Sequence, residues 1–303
     1  MAGRMAAPFG SVGWAGFIAG TLTVMMGVAG APWLLPRCTT TLGVYEARKS
    51  LGWAIFFAGV IMLTLSVIGV FLRGAVMNDL VGRGAAQLPA WFAGLSELGL
   101  TGVKASDGAL RLESFGFMRD GVLYAVPVTA GFPSVVHYLV LAGAIAAALA
   151  AATATAFALA AILAEDVYGG LIWRAADDVV RINTARVACV VVVLTGLLFY
   201  SVVTADPLDL FLSAMALSAA TAFPVITLSI WWKRLSAAGT LLGLLIGFVL
   251  VVVLQLASAG QMLDVAAPVA GLFGALAAFA TAIAVSLVTP EPQRAAMEAT
   301  RDM

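Results

Sequence analysis

The stretch GVAGAPWLLPR, from Gly27 to Arg37, places two glycines, two prolines and a tryptophan inside a long apolar run. A helix interrupted there leaves backbone N–H and C=O groups unpaired, and a bilayer interior tolerates such groups only where they line a protein-enclosed cavity. A Gly/Pro-interrupted span therefore points to the substrate or ion site of a membrane carrier. The alternative is a proline kink in a packing helix.

The chemistry that this stretch can provide is binding. In a discontinuous span, the positive end of one half-helix can face an anion, while unwound carbonyl groups face a cation. Gly27, Ala29 and Gly30 have no bulky side chains, so a small carboxylate can approach their N–H groups directly. Pro32 can start the next half-helix, and Trp33 can wall the cavity. No nucleophile or acid–base pair is required, which predicts that the protein is not an enzyme.

The composition is that of an all-α polytopic membrane protein. Hydrophobic residues make up 62% of the 303 residues and charged residues 11%, and the mean hydropathy is +1.06. Lys+Arg and Asp+Glu are equal at 16 each, so no basic field recruits nucleic acid. The single histidine and the widely separated Cys38 and Cys189 predict neither a metal site nor a disulfide framework.

Seven apolar runs are long enough to cross about 30 Å of hydrocarbon, which takes about 20 residues each. The predicted spans are 12–36, 50–73, 133–164, 184–204, 208–231, 237–257 and 266–289. The third is too long for a plain crossing and is expected to tilt or to extend beyond the bilayer. The Gly-rich segment 74–132 predicts short helices or a lid over the outer face. The small residues Gly239, Gly243 and Gly247 form a ladder on one helical face, which predicts close helix packing.

Positive residues indicate the orientation, because short cytoplasmic loops are enriched in them. They follow the first, third and fifth spans and recur in the tail: Arg37, Arg48, Lys49, Arg174, Arg181, Arg186, Lys233, Arg234, Arg294 and Arg301. This pattern predicts an extracytoplasmic N-terminus at 1–11 and a cytoplasmic tail at 290–303, with the chain in the bacterial inner membrane.

Ionisable residues are absent from the centres of the predicted spans. Such residues are typical of proton relays, so their absence argues against proton coupling by this chain alone. The pair Asp177–Asp178 is expected to lie in a solvated loop. His137, at the start of the third span, is expected to lie near the headgroups, with a role as a substrate ligand as the alternative.

Five motifs occur in a fixed order: GVAGAPWLLPR, YEARKSLGWAIFF, VPVTAGFP, AGAIAAALAAATATAFALAAILAEDVY and FPVITLSIWWKR. This series resembles the second half of the sodium/solute symporter family, and most closely its cation/acetate symporter branch. The resemblance implies a fold of two inverted five-helix repeats, with substrate and sodium held at broken helices near the midplane. It further implies that 12–231 is one complete repeat and that 232–289 holds two accessory helices. The first repeat has no counterpart here, which predicts a truncated chain or one half of a split carrier, working with a separate N-terminal half or partner subunit.

The resemblance also implies a sodium site formed by a Ser/Thr pair and by carbonyl oxygens. Counting back from Asp166 of EDVY, these positions fall on Ala147, Ala150 and Ala151. Alanine has no side-chain oxygen, so this half of the site is expected to be degenerate. Thr153 and Thr155 are candidate replacement ligands, and the alternative is that each bonds its own i−4 carbonyl. No other cofactor and no bound metal is expected.

These observations predict a membrane transport protein of the sodium/solute symporter type. The expected solute is a small monocarboxylate such as acetate, and sodium is the candidate coupling ion. The alternative is a non-transporting membrane subunit or sensor module that has lost sodium coupling, which Ala150 and Ala151 favour.

Overall fold

The computed structural model describes residues 13–34, 43–84, 87–97, 99–103, 110, 115–118, 121–174, 177–202, 206–259 and 266–290. The predicted segment 1–11, nearly all of the predicted tail, and the end of the interrupted stretch at Pro36 and Arg37 lie outside these residues. The chain forms two compact units. The first unit combines Met1–Thr40 with Thr155–Met303, and the second unit is Thr41–Ala154.

The elements of the described chain are mainly helical. In chain order the helices are α1 (Gly13–Ala29), α2 (Val44–Asp79), α3 (Ala90–Glu97), α4 (Val122–Thr129), α5 (Ser134–Ile162), α6 (Asp178–Val202), α7 (Pro207–Ala220), α8 (Ala222–Trp231), α9 (Ala237–Ala259) and α10 (Ala267–Val288). Two short strands, β1 (Thr101–Val103) and β2 (Phe115–Phe117), lie between α3 and α4, and a π-helical segment, Leu163–Ile172, continues α5.

Six helical segments within the described ranges are long and apolar enough to cross a membrane, and α1 is a shorter apolar helix. The predicted all-α polytopic membrane fold is thereby confirmed. The third predicted span proves to be a continuous segment of 39 residues, Ser134–Ile172. It is longer than a plain crossing requires, as the length of its apolar run predicted.

The predicted span 208–231 is one apolar run but two helices. The break between α7 and α8 falls at Thr221. Its cause is Pro224, which has no N–H to donate to the carbonyl four residues earlier and whose ring clashes with that carbonyl. The predicted span is confirmed as the candidate membrane span Pro207–Trp231, whereas the interruption inside it at Thr221 was not predicted.

The core of the first unit is built from small residues on α1, α7, α9 and α10. Ala216, Ala219, Ala220, Ala270 and Ala278 are all completely buried. A Cβ atom added at Gly243 would lie 3.0 Å from the carbonyl oxygen of Ala278, and one at Gly247 would collide with the Ala220 carbonyl oxygen. Side chains this small let the helix backbones touch, which is how helices associate where lipid is as apolar as the side chains. The packing role predicted for the ladder Gly239, Gly243 and Gly247 is confirmed.

A hydrogen bond joins α1, the first helix of this core, to α10, its last. Thr23 Oγ1, on a completely buried residue of α1, donates to the carbonyl oxygen of Pro268 on α10 at 2.5 Å. We expect the nearly isosteric Thr23→Val to destabilise the protein by about 1 kcal/mol, because it removes this hydrogen bond between α1 and α10. Thr21→Val is the matched control, since Thr21 Oγ1 only bonds its own i−4 carbonyl, that of Phe17. Thermal unfolding in detergent measures both variants, and equal melting temperatures would contradict the expectation.

The second unit has its own apolar cluster. The end of α2 contributes Leu72 and Val76, and Leu80 follows directly after the helix; these side chains pack with Phe92 and Leu95 of α3 and with Ala125 of α4. β1 pairs antiparallel with β2, with Thr101 opposite Phe117 and Val103 opposite Phe115. The short helices expected within 74–132 are confirmed, whereas the strand pair was not predicted.

Candidate functional site

The interrupted stretch ends a helix, as its composition predicted. The last residue of α1 is Ala29, and the chain then turns through Gly30, Pro32 and Trp33. The Gly30 N–H donates to the carbonyl of Met26 at 2.9 Å, and the Ala31 N–H donates to that of Val28 at 3.1 Å. The described turn thus begins at a helix C-terminus, which carries a partial negative charge.

Two further interruptions of helical geometry lie in the first unit. At Leu163 the ordinary α-helix of α5 changes to the wider π-helix, which is a rare geometry and frequent at functional sites. At Thr221 the chain breaks between α7 and α8. Each interruption frees backbone groups from the regular helical pattern, so each can serve a bound ligand.

The three interruptions line one cavity of about 420 Å³. Its lining residues are Gly30, Pro32, Ile162, Asp166, Ser218, Thr221 and Ala222. The volume falls in the range of small-molecule sites, about 300–1,000 Å³. The cavity therefore has the size and the unwound backbone that a solute or ion site requires.

The polar side chains of this cavity present oxygen atoms. Ser218 Oγ donates its hydrogen to the carbonyl of Gly27 at 2.8 Å, and Thr221 Oγ1 donates its own to the carbonyl of Leu217 at 2.7 Å. Each hydroxyl can then only accept a further hydrogen bond or coordinate a cation. Asp166 supplies a carboxylate. These side chains suit a positively charged ligand.

Asp166 gives the cavity a negative charge. Among the described residues, no basic side chain forms an ion pair with this carboxylate. Its neighbour Glu165 forms an ion pair with Arg181, with Glu165 Oε2 3.3 Å from Arg181 Nη1. Arg174 is also engaged, since its Nε donates to the carbonyl of Gly170 at 3.0 Å. Two adjacent carboxylates therefore have different surroundings, and the one that lines the cavity is Asp166.

The residues predicted for substrate binding take different places. Gly30 and Pro32 line the cavity. Gly27 is buried against α7, where an added Cβ atom would lie 2.5 Å from the Met215 carbonyl oxygen. Ala29 is exposed and Trp33 is half-buried. The two glycines thus serve a close contact between helices, since a Cβ at Gly30 would also lie 2.9 Å from the nitrogen of Phe223.

The predicted ion-site positions lie along α5. Ala147, Ala150 and Ala151 are exposed, and so is Thr153; Thr155 is half-buried. Thr153 Oγ1 donates to the carbonyl of Leu149 at 2.8 Å and also approaches that of Ala150 at 3.1 Å. The hydroxyl of Thr153 is therefore hydrogen-bonded within its own helix. This is the alternative to a role as a replacement sodium ligand.

Sequence reasoning missed Asp166, Ser218 and Thr221 as lining residues. Asp166 served only to count positions along EDVY. Ser218 and Thr221 stand six and three residues before Pro224, and a hydroxyl residue just ahead of a proline inside an apolar run was the available signal of a broken helix lined with oxygens.

Comparison with known proteins finds relatives among symporters. A protein of Cupriavidus necator described as an uncharacterized symporter is 31% identical over 290 residues, which cover 90% of this chain and 42% of that protein. The chain thus spans less than half the length of this curated relative. No solved structure matches the chain.

The model of the sodium:solute symporter family matches residues 122–247. This range runs from the start of α4 into α9 and includes both α5 with its π-helical continuation and the broken pair α7 and α8. The resemblance predicted from the ordered motifs is therefore confirmed, and it is with the sodium:solute symporter family.

Proposed function

We propose that this chain forms the solute-facing part of a cation-coupled membrane carrier whose solute is a short monocarboxylate of the acetate class. The family match supports transport in preference to catalysis. The observation that carries the proposal is the convergence of three helix interruptions on one cavity of about 420 Å³. Unwound backbone at membrane depth is retained where it binds a ligand.

The lining of the cavity supports coupling between solute and cation. A carboxylate solute would meet Asp166 and two hydroxyl oxygens whose hydrogens are already donated. Like charges at close range repel, so the solute requires a cation beside it. Sodium prefers oxygen ligands, and Asp166, Ser218 and Thr221 offer oxygens that Ala150 and Ala151 lack. In this proposal the cation binds first and creates the site for the anion.

The proposed setting is the bacterial inner membrane, with the N-terminus outside and the C-terminus inside. The positive residues of the short loops support this orientation. The proposed partner is an N-terminal five-helix half, because the curated relative is more than twice as long as the part that this chain matches. The facing broken helix of the inverted-repeat fold would belong to that half.

Uptake in proteoliposomes tests the proposal. We expect sodium-driven uptake of radiolabelled acetate when this chain is co-reconstituted with the part of the Cupriavidus necator relative that it does not cover. A potassium gradient of the same size is the control for ion dependence, and each part alone is the control for the partner. Equal uptake by this chain alone would contradict the need for a second half, and no uptake by the pair would contradict transport.

The second candidate is a non-transporting membrane subunit or sensor module. Alanine at both predicted Ser/Thr positions, Ala150 and Ala151, favours it. The double variant Ala150→Ser with Ala151→Thr, in the presence of the N-terminal half, separates the two functions. A sensor module is expected to remain without uptake, whereas a gain of sodium-dependent uptake would count against it.

A further inference from the structure

The second unit contains a pocket of about 540 Å³ that shares no residue with the cavity around Asp166. It lies among α3, α4 and the first turns of α5. Aliphatic side chains form most of its wall, including Leu95, Val128 and Leu141, and Tyr124 and Tyr138 add aromatic surface. A pocket of this size with a mostly apolar wall accommodates a small molecule that carries a hydrocarbon part.

One polar group on this wall has no partner. His137, the single histidine of the chain, is half-buried, and its Nε2 atom is buried without a hydrogen bond. Buried polar atoms are nearly always paired, so an unpaired one needs a reason. A ligand with a hydrogen-bonding head group, seated in the pocket beside His137, provides that reason. The prediction that His137 lies near the headgroups concerns its depth in the membrane and leaves the unpaired Nε2 atom to be explained.

The charge around His137 favours a negative head group. His137 is in the first turn of α5, where the helix carries a partial positive charge. None of the described lining residues is acidic. A neutral imidazole can donate one hydrogen bond and a protonated one can donate two, so both forms can serve a carboxylate oxygen.

We propose that this pocket binds an aliphatic monocarboxylate, with the hydrocarbon tail among Leu95, Val128 and Leu141 and the carboxylate on His137 Nε2. The ligand is a free carboxylate and not a phospholipid, because a phospholipid adds a glycerol backbone and a second acyl chain, which a pocket of about 540 Å³ does not enclose. This site is separate from the proposed transport cavity, and its occupancy needs neither an ion gradient nor a partner subunit.

Equilibrium binding of radiolabelled octanoate to the full chain in lipid nanodiscs tests the proposal, with empty nanodiscs subtracted because octanoate also enters lipid. We expect saturable binding that weakens about ten-fold in His137→Phe, which removes the hydrogen bond and keeps the ring, and that His137→Gln largely retains. Leu141→Trp is expected to block binding by filling the pocket. Leu139→Trp is its matched control, since Leu139 is exposed on the same helix and does not line the pocket.

Three results would overturn the proposal. The first is unchanged octanoate affinity in His137→Phe, or equal affinity in Leu141→Trp and Leu139→Trp. The second is octanol competing as well as octanoate, which would show that the head group does not matter. The third is a co-purified phospholipid, detected by native mass spectrometry, that octanoate does not displace. If His137→Phe fails to fold, the two tryptophan variants still decide the outcome, and none of these results depends on transport.

Discussion

Asp166→Asn is expected to weaken sodium binding by about ten-fold, roughly 1.4 kcal/mol, because Asp166 is exposed and water screens part of its charge. Asp166 carries the one formal negative charge among the described residues of the cavity, and the hydroxyls of Ser218 and Thr221 are neutral ligands. An amide keeps the shape of the carboxylate and removes its charge, so the loss measures the charge. Binding of radioactive sodium to the purified chain, with potassium as competitor, provides the measurement without any need for transport.

Glu165→Gln is the matched control for this experiment. Glu165 adjoins Asp166 on the same π-helical segment, but its carboxylate pairs with Arg181 and does not line the cavity. An exposed ion pair contributes at most about 1 kcal/mol, so we expect sodium binding to stay unchanged. Thr221→Val should give an intermediate loss of about three-fold, because it removes one oxygen ligand and leaves the charge. Equal affinity in Asp166→Asn and Glu165→Gln would refute the assignment of the cation to this cavity.

Gly247→Val is the substitution from which we expect the largest loss of stability, about 3 kcal/mol or more. A Cβ atom at this position would collide with the carbonyl oxygen of Ala220 and would lie 3.0 Å from the Cβ of Ala278. The first obstacle is backbone, which cannot rotate away, so α7, α9 and α10 would have to separate. We expect a lower melting temperature and a smaller monodisperse fraction on size-exclusion chromatography in detergent.

Gly143→Val controls for the intrinsic effect of valine in a helix. Gly143 lies within α5 and has open space around it, with nothing within 4 Å of an added Cβ. Both substitutions carry the same cost of helix propensity, so their difference isolates the steric collision. If the two variants melt at the same temperature, the backbone contact between α7 and α9 does not contribute to stability.

The membrane spans were predictable because hydropathy is averaged over about 20 residues, so a single polar residue or proline changes the average very little. The glycine ladder of α9 was predictable for a similar reason, since helical spacing alone places Gly239, Gly243 and Gly247 on one face. The break at Thr221 was missed because the run 208–231 is long and mostly apolar, and only Pro224 with the hydroxyl residues Ser218 and Thr221 ahead of it marks the interruption. The strand pair in the second unit was missed because each strand has only three residues.

The cavity was harder to predict from the sequence than the fold. Gly30 and Asp166 are 136 positions apart, and no periodicity relates them. The glycines of the interrupted stretch also admit two uses, an approach to a ligand and an approach to a neighbouring helix. Gly27 serves the second, because Met215 occupies the space that its side chain would take. Only tertiary structure distinguishes these uses.

The hydrogen bond between Thr23 and Pro268 has a consequence for biogenesis. It joins positions 245 residues apart, so α1 enters the membrane long before α10 exists. Until then the buried face of α1 lacks this partner, and the small-residue core cannot close. Contacts of such long sequence separation form late and leave the early helices open to wrong associations. We therefore expect folding of the first unit to be a largely post-translational event and the newly inserted α1 to be a target for membrane chaperones.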